Sequence, residues 1–471
     1  VTSGAPERSF GAHRILVAVS VVAAVVALIA HDRLIPLDTP LFGLFQNAVD
    51  AGVYRAGGLT VLHGTPLYDG NLTDDLPFTY PPFAALIFAP LGLISMITTK
   101  LLFWIGNLVL LYVAVRLCWR HLGYANDVWL TAVSASLAVV FTWLEPVRMT
   151  IWFGQINLLL MVAVLWDLTR PEGSRLRGVA TGLAAGTKLT PGLFVVYLAA
   201  TRQWRAAATA AVATLTTVVA GFVVIPADAT RYWFTAVSES TRIGAPSSGA
   251  NQSIRGALPR WLETVNPPFA LWAACVLVVG ATGIAVAVIA HRRGHVLLGL
   301  TITGLTAPMV SPFSWGHHWV WFVPLIVLTM DMAVRRSRVL WALPLALMAP
   351  LGCWYFTYPD GVRAIGTFML PPPSFAVGVV IQSAYPLTYL VVVVGAAIAL
   401  RRSEPREPSV STPARDVTSV TSRVGNGTTS TPVTTPPDRP SWEKSRPASQ
   451  RPNSHRDTHS YRIVTSGREA T

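Results

Sequence analysis

The sequence predicts an all-α polytopic membrane protein with about twelve transmembrane helices, on three observations. Of 471 residues, 52% are hydrophobic and only 13% charged, and the mean hydropathy is +0.49. A soluble domain carries about 25% charged residues, so this chain lacks the polar surface to dissolve. Apolar runs close to the ~20 residues that cross a bilayer as a helix recur along it. The net charge of +13 comes largely from arginines in short loops and the tail. That is the signature of the positive-inside rule, so no nucleic-acid partner is expected.

The first apolar run, Ile15–Ala30, follows Arg8, His13 and Arg14. No A-x-A site follows and further spans do, so it reads as a retained anchor with its N-terminus inside. Phe83–Ile97 and Leu101–Leu117 come next. If both crossed, the basic loop 116–124 would lie outside, so Phe83–Ile97 is expected to be re-entrant or interfacial. Trp129–Leu144 then goes outward and Asn157–Leu168 inward, to the basic stretch 169–177. Residues 178–205, flanked by arginines, form a hairpin of two short helices with "TKLTP" at its outer tip. Ala206–Ile225, Phe269–Ala290, Val296–Val310, Trp319–Met332, Val339–Phe356 and Phe375–Leu400 alternate thereafter. This gives twelve crossings with both termini cytoplasmic in a plasma-membrane protein. Residues 1–402 form the membrane domain, and 403–471, rich in Ser, Thr, Pro and Arg, a disordered tail.

This topology gathers the unusual polar residues on the outer face. The stretches "NAVDAGVYRAGG" (47–58), "LPFTYPPF" (76–83), "WFGQINLLL" (152–160), "SSGANQSIRGALPRW" (247–261) and "SPFSWGHHWVW" (311–321) all fall there, with Lys188 at the hairpin tip. Each has a plain reading as well. Asp50 could be a solvated carboxylate, with Asp32, Asp38, Asp69, Asp74 and Asp75 as competitors. His317 and His318, being neighbours, cannot share one helical face, and each can be a satisfied structural histidine. Lys188 at membrane depth is costly unless paired or wet, which marks it as functional, or it snorkels at a helix end. Gln155 and Asn157 could simply join helices. Arg55, Arg148, Arg255 and Arg260 suit phosphate oxygens or, equally, lipid headgroups. Trp315, Trp319 and Trp321 fit an interface belt. Cys118, Cys275 and Cys353 make no disulfide framework, and no HxxxH, HExxH or Cys-based spacing marks a zinc site. Together the residues point to an outer-face site for a phosphate-bearing amphiphile.

Six motifs in order, "DAGVYRAGGLTVLHGTPLY", "FTYPPF", "FGQINLLL", "AAGTKLTPGLF", "NQSIRG" and "SPFSWGHHWVW", resemble the actinobacterial polyprenyl-phosphate-mannose-dependent α-1,2-mannosyltransferases. These belong to glycosyltransferase family 87 of the GT-C superfamily. The resemblance runs from about residue 40 to 335 and leaves out the tail. It implies a GT-C fold with an outer-face active site and Asp50 as the catalytic carboxylate of the first outer loop, with His318 or His317 as its partner. Lys188, Arg255, Asn251, Gln252, Gln155, Asn157, Tyr54, Tyr80 and Trp315 are then expected to bind donor phosphate or substrate. The sequence departs from the family's pattern at Gly316, where a charged residue often precedes the histidine pair, which leaves the imidazole without an identified acid.

The implied chemistry has Asp50 as general base toward an acceptor mannose hydroxyl. Lys188, Arg255 or an imidazolium stabilises the departing lipid phosphate. A β-linked donor displaced directly gives an α-linked product, and no cofactor is expected besides the lipid-linked sugar. The expected partners are polyprenyl-phosphate-mannose, a glycolipid or lipoglycan acceptor and the bilayer. Two other readings stay open: an arabinofuranosyltransferase using polyprenyl-phosphoarabinose, and a lipid-linked-sugar transporter or flippase. The second usually brings internal repeats and broken mid-depth helices.

Overall fold

A computed structural model describes residues 7–73, 76–239, 242–358 and 361–402. The expected tail, and Asp74 and Asp75, lie outside the described residues. Helices dominate. The first, α1 (Arg14–Leu34), is the expected anchor run. A loop then leads to α2 (Val49–His63), which ends where Gly64 takes a left-handed φ of 66°. Next come the short α3 (Pro82–Phe88), prolonged by a single 3-10 turn to Leu93, and α4 (Met96–His121). The α3 segment is a short apolar helix that packs on α2.

α5 (Val128–Phe141) is followed by α6 (Glu145–Phe153) and α7 (Asn157–Leu168), which meet at a bend of 116°. α8 (Val179–Thr187) and α9 (Leu193–Ala200) make the expected hairpin, with α10 (Trp204–Val224) after it. Gly182 and Gly186, one turn apart on α8, let it lie directly on α10. A Cβ on them would come within 2.3 Å of the Ala210 carbonyl oxygen and 1.9 Å of Thr217 Oγ1 respectively. Small residues at this spacing are how membrane helices approach closely.

Short α11 (Pro226–Phe234) and α12 (Ile254–Trp261) precede α13 (Phe269–Arg292), α14 (Val296–Val310) and α15 (Phe322–Arg335). The run expected as one helix from Val339 to Phe356 is different. α16 (Ala342–Leu351) stops, and β1 (Cys353–Tyr358) pairs antiparallel with β2 (Gly361–Gly366). The aromatic "CWYFTY" run ahead of Pro-Asp-Gly favours a hairpin over a helix. Phe375–Leu400 is likewise broken, into α17 (Phe375–Gln382) and α18 (Ala384–Arg402).

Among the described residues, five helices are long and apolar enough to cross a membrane: Phe10–Leu34, Met96–His121, Trp204–Val224, Phe269–Arg292 and Ala384–Arg402. The bent α6–α7 pair makes a sixth if taken as one span. The protein is therefore a mostly helical, multi-pass membrane protein. Its most buried helix is α14, enclosed nearly all round from Leu297 to Met309.

Candidate active site

The site forms where α2, the α6–α7 bend and the end of α8 converge. Gly154 makes the bend possible. Its φ of 68° is left-handed, and a Cβ there would lie 2.8 Å from Ala51 Cβ. Glycine therefore satisfies both the turn and the close approach of α6 to the first turn of α2. The Ala48 amide donates to the Trp152 carbonyl at 2.7 Å, which fixes the two elements together.

This contact brings Gln155 onto Asp50. Gln155 Nε2 donates to Asp50 Oδ2 at 2.8 Å, while Gln155 Oε1 accepts from the hydroxyls of Tyr54 (2.7 Å) and Tyr80 (3.2 Å). The two phenols are themselves 2.9 Å apart. With two hydroxyls on its oxygen, the amide can present only its NH2 to the carboxylate, so the carboxylate has one orientation. Asn107 Nδ2 holds the Gln155 carbonyl at 3.0 Å from α4. Asp50 and Tyr54, one turn apart on α2, are thus joined through Gln155.

Lys188 follows the last residue of α8, which α10 holds in place. Its ammonium donates to Asn157 Oδ1 at 2.8 Å and lies 5.3 Å from the centre of the Tyr80 ring. Asn157 Nδ2 in turn donates to the His317 carbonyl at 2.9 Å, carrying the network to the histidine loop. In that loop the His317 and His318 rings are 4.8 Å apart and nearly perpendicular, and Trp315 stacks on His317 at 6.4 Å.

Burial governs the electrostatics. It pushes the Asp50 carboxyl up to about 6, against the opposing pull of the Gln155 hydrogen bond and the Lys188 charge. It pushes the Lys188 ammonium down to about 7, with Asp50 resisting. His317 and His318 fall well below the usual histidine range, by burial and then by the Lys188 charge. Both imidazoles are therefore neutral near pH 7. The expected imidazolium does not fit this site, and Lys188 is the cation within electrostatic reach of Asp50.

Other expected residues stand apart. Asn251 spends its amide on the Pro246 and Pro312 carbonyls, and its oxygen on the Ser253 and Ser314 amides. Gln252 donates to the carbonyls of Gly249 and Gln382. Both side chains are fully enclosed and clamp the histidine loop to α12 and α17, so they cannot grip a donor phosphate without giving up these bonds. Arg255 has its guanidinium 5.3 Å from the Trp272 ring centre. Arg148 is buried against His31 and Phe42. Asp32, Asp38 and Asp69 are exposed, whereas Asp50 is half-buried.

The sequence reading missed Glu145. This buried carboxylate, first residue of α6, accepts the Tyr385 hydroxyl at 2.5 Å. A Cβ on Gly316 would lie 2.2 Å from its Oε1. Glu145 thus occupies the space that a side chain at position 316 would need, with its hydrogen bond going to Tyr385. An acid flanked by apolar residues, as in "TWLEPV", was the available signal. Among the described residues no three of His, Cys, Asp and Glu converge as a metal-holding group.

The family model described as Glycosyltransferase family 87 matches residues 78–312. A polyprenol-phosphate-mannose-dependent alpha-(1-2)-phosphatidylinositol mannoside mannosyltransferase of Mycolicibacterium smegmatis is 37% identical over 333 residues, covering 64% of this chain and 73% of that protein. A protein of the same description from Mycobacterium tuberculosis is 33% identical, covering 64% and 74%. A phosphatidylinositol pentamannoside mannosyltransferase from M. tuberculosis is 38% identical, covering 62% and 68%. No solved structure matches.

Proposed function

The chain belongs to glycosyltransferase family 87, and from that membership we propose that it transfers mannose from polyprenol-phosphate-mannose to a phosphatidylinositol mannoside or similar α-mannoside, forming an α-1,2 linkage. The relatives' descriptions name this donor and acceptors of this class. One observation carries the assignment of roles: a half-buried carboxylate, Asp50, oriented by Gln155 and within electrostatic reach of the Lys188 ammonium.

In this reading Asp50 Oδ1, the oxygen not taken by Gln155, accepts the proton of the acceptor hydroxyl as that oxygen attacks the anomeric carbon. The C–O bond to the lipid phosphate breaks on the opposite side, so a β-linked donor gives an α-linked product. The phosphate leaves with its electron pair and meets the Lys188 cation, the preorganised charge it needs. His317 and His318, as neutral rings, donate hydrogen bonds to sugar or phosphate oxygens. Tyr54 and Tyr80 act through Gln155.

The active face lies outside the membrane and both termini inside, with twelve crossings built from the long helices, the bent pair and the shorter apolar helices. Support comes from the basic stretches: 116–124, 169–177, 291–295 and 335–338 lie at the C-terminal ends of α4, α7, α13 and α15. Lys188 then sits at the outer tip of the α8–α9 hairpin.

The test is transfer of radiolabelled mannose from polyprenyl-phosphomannose to an α-mannoside by membranes carrying wild type or Asp50→Asn. Loss of about 10²- to 10⁴-fold in the variant, at equal membrane insertion, is expected for removal of a general base. Equal transfer by both would place the base elsewhere. Transfer from polyprenyl-phosphoarabinose alone would overturn the choice of sugar.

A further inference from the structure

One cavity lies far from Asp50. It holds about 400 Å³ and is walled by the ends of α4, α15 and α18 and the start of α14. The Asp50 cluster adjoins the opposite end of α4, where Met96 Cε is 3.5 Å from the Cβ position of Gly52 and Arg55 Nε donates to the Ile94 carbonyl. The 26 residues of α4 separate the two by about 39 Å. The cavity thus lies at the opposite end of α4, a helix long enough to span a membrane, from the Asp50 cluster.

Its lining is mostly apolar, with two arginines at the rim. Leu298 and Leu328 face it, with His121, His295, Arg335 and Arg336. The one carboxylate, Asp331, is already neutralised. Arg335 pairs with it from the next turn, and the Tyr124 hydroxyl donates to it at 3.1 Å. Arg336 remains as surplus positive charge and makes no ion pair with a described residue, while Arg292, Arg401 and Arg402 stand exposed at the adjoining helix ends. A phosphodiester suits the arginine fork, and acyl chains suit the leucine wall. We propose that this cavity binds an acidic glycerophospholipid of the leaflet opposite the transfer site, its phosphate at Arg336 and its chains against Leu298.

Purified full-length protein in detergent is titrated with dioleoylphosphatidylglycerol, dioleoylphosphatidylcholine or inorganic phosphate, and bound lipid is counted by native mass spectrometry. Both lipids carry the phosphodiester, but only phosphatidylglycerol keeps a net negative charge, so the wild type is expected to prefer it by about fivefold, the attraction of one arginine for an anionic lipid. Arg336→Gln should erase the preference and Arg336→Lys keep part of it. Leu298→Trp, which fills the cavity, should abolish binding of both lipids at this site, and inorganic phosphate should not compete. Equal binding of the two lipids by wild type overturns the proposal. So does a preference that survives Arg336→Gln, or competition by inorganic phosphate, which would make the ligand a free anion. Arg336 is exposed, so its variants report even if the tryptophan variant fails to fold.

Discussion

At the scale of single residues, the site is a carboxylate and an ammonium whose working forms overlap in a narrow window. Asp50 serves as base only when deprotonated, and burial raises its pKa to about 6, so transfer should fall as pH drops through about 6. Lys188 serves only when protonated, and burial lowers its pKa to about 7, so transfer should fall again as pH rises beyond about 7. A pH profile of kcat in proteoliposomes is expected to be a narrow bell, and Lys188→Arg should remove its alkaline limb. Gln155→Leu removes the hydrogen bond that favours the charged carboxylate, so its acid limb should move upward. It should also lower kcat, since the carboxylate loses its fixed orientation. Asp50, Gln155 and Lys188 were visible in the sequence because each is a polar residue set in apolar surroundings. Their connection was not, since it depends on contacts across more than a hundred residues of chain. Asn251 and Gln252 show the converse: a polar motif beside the histidine loop turned out to be its clamp.

At the scale of elements, two glycine contacts set where the chemistry sits. Gly154→Ala would impose a left-handed φ on a residue with a Cβ and press it against Ala51, costing about 1–2 kcal/mol for the backbone alone. Its transfer rate should fall more than its thermal stability in detergent, because Gln155 is the next residue. Gly182→Val should do the reverse. It wedges α8 from α10 and should lower the melting temperature, at a cost of about 1–3 kcal/mol or more, with activity lost only as the protein unfolds. The long helices were legible because apolar runs with basic ends have one physical solution in a bilayer. α6 was not, because Glu145, Arg148 and Thr150 read as loop residues until their partners on other helices are known. The β1–β2 hairpin hid within an apolar run because hydrophobicity alone does not separate a strand from a helix.

At the scale of the whole molecule, orientation is open to direct test. Asp69→Cys, in the exposed loop beyond α2, should react with a membrane-impermeant maleimide in intact cells. Arg336→Cys should react only after permeabilisation, and labelling of both from outside would refute the topology. The twelve-crossing expectation rests on charge alternation, whereas among the described residues five helices are individually long and apolar enough to span, and the other apolar helices are shorter. Glu145 has a consequence at this same scale. It lies inside the segment shared with the family, whereas Gly316, Gly366 and Tyr385, which enclose its carboxylate, lie beyond residue 312. A chimera joined at that point would inherit the acid from one parent and its socket from another. Such a hybrid should be inactive wherever the incoming half brings a side chain at position 316, and recover when glycine is restored there, so the two halves of this chain are interchangeable only as a matched lock.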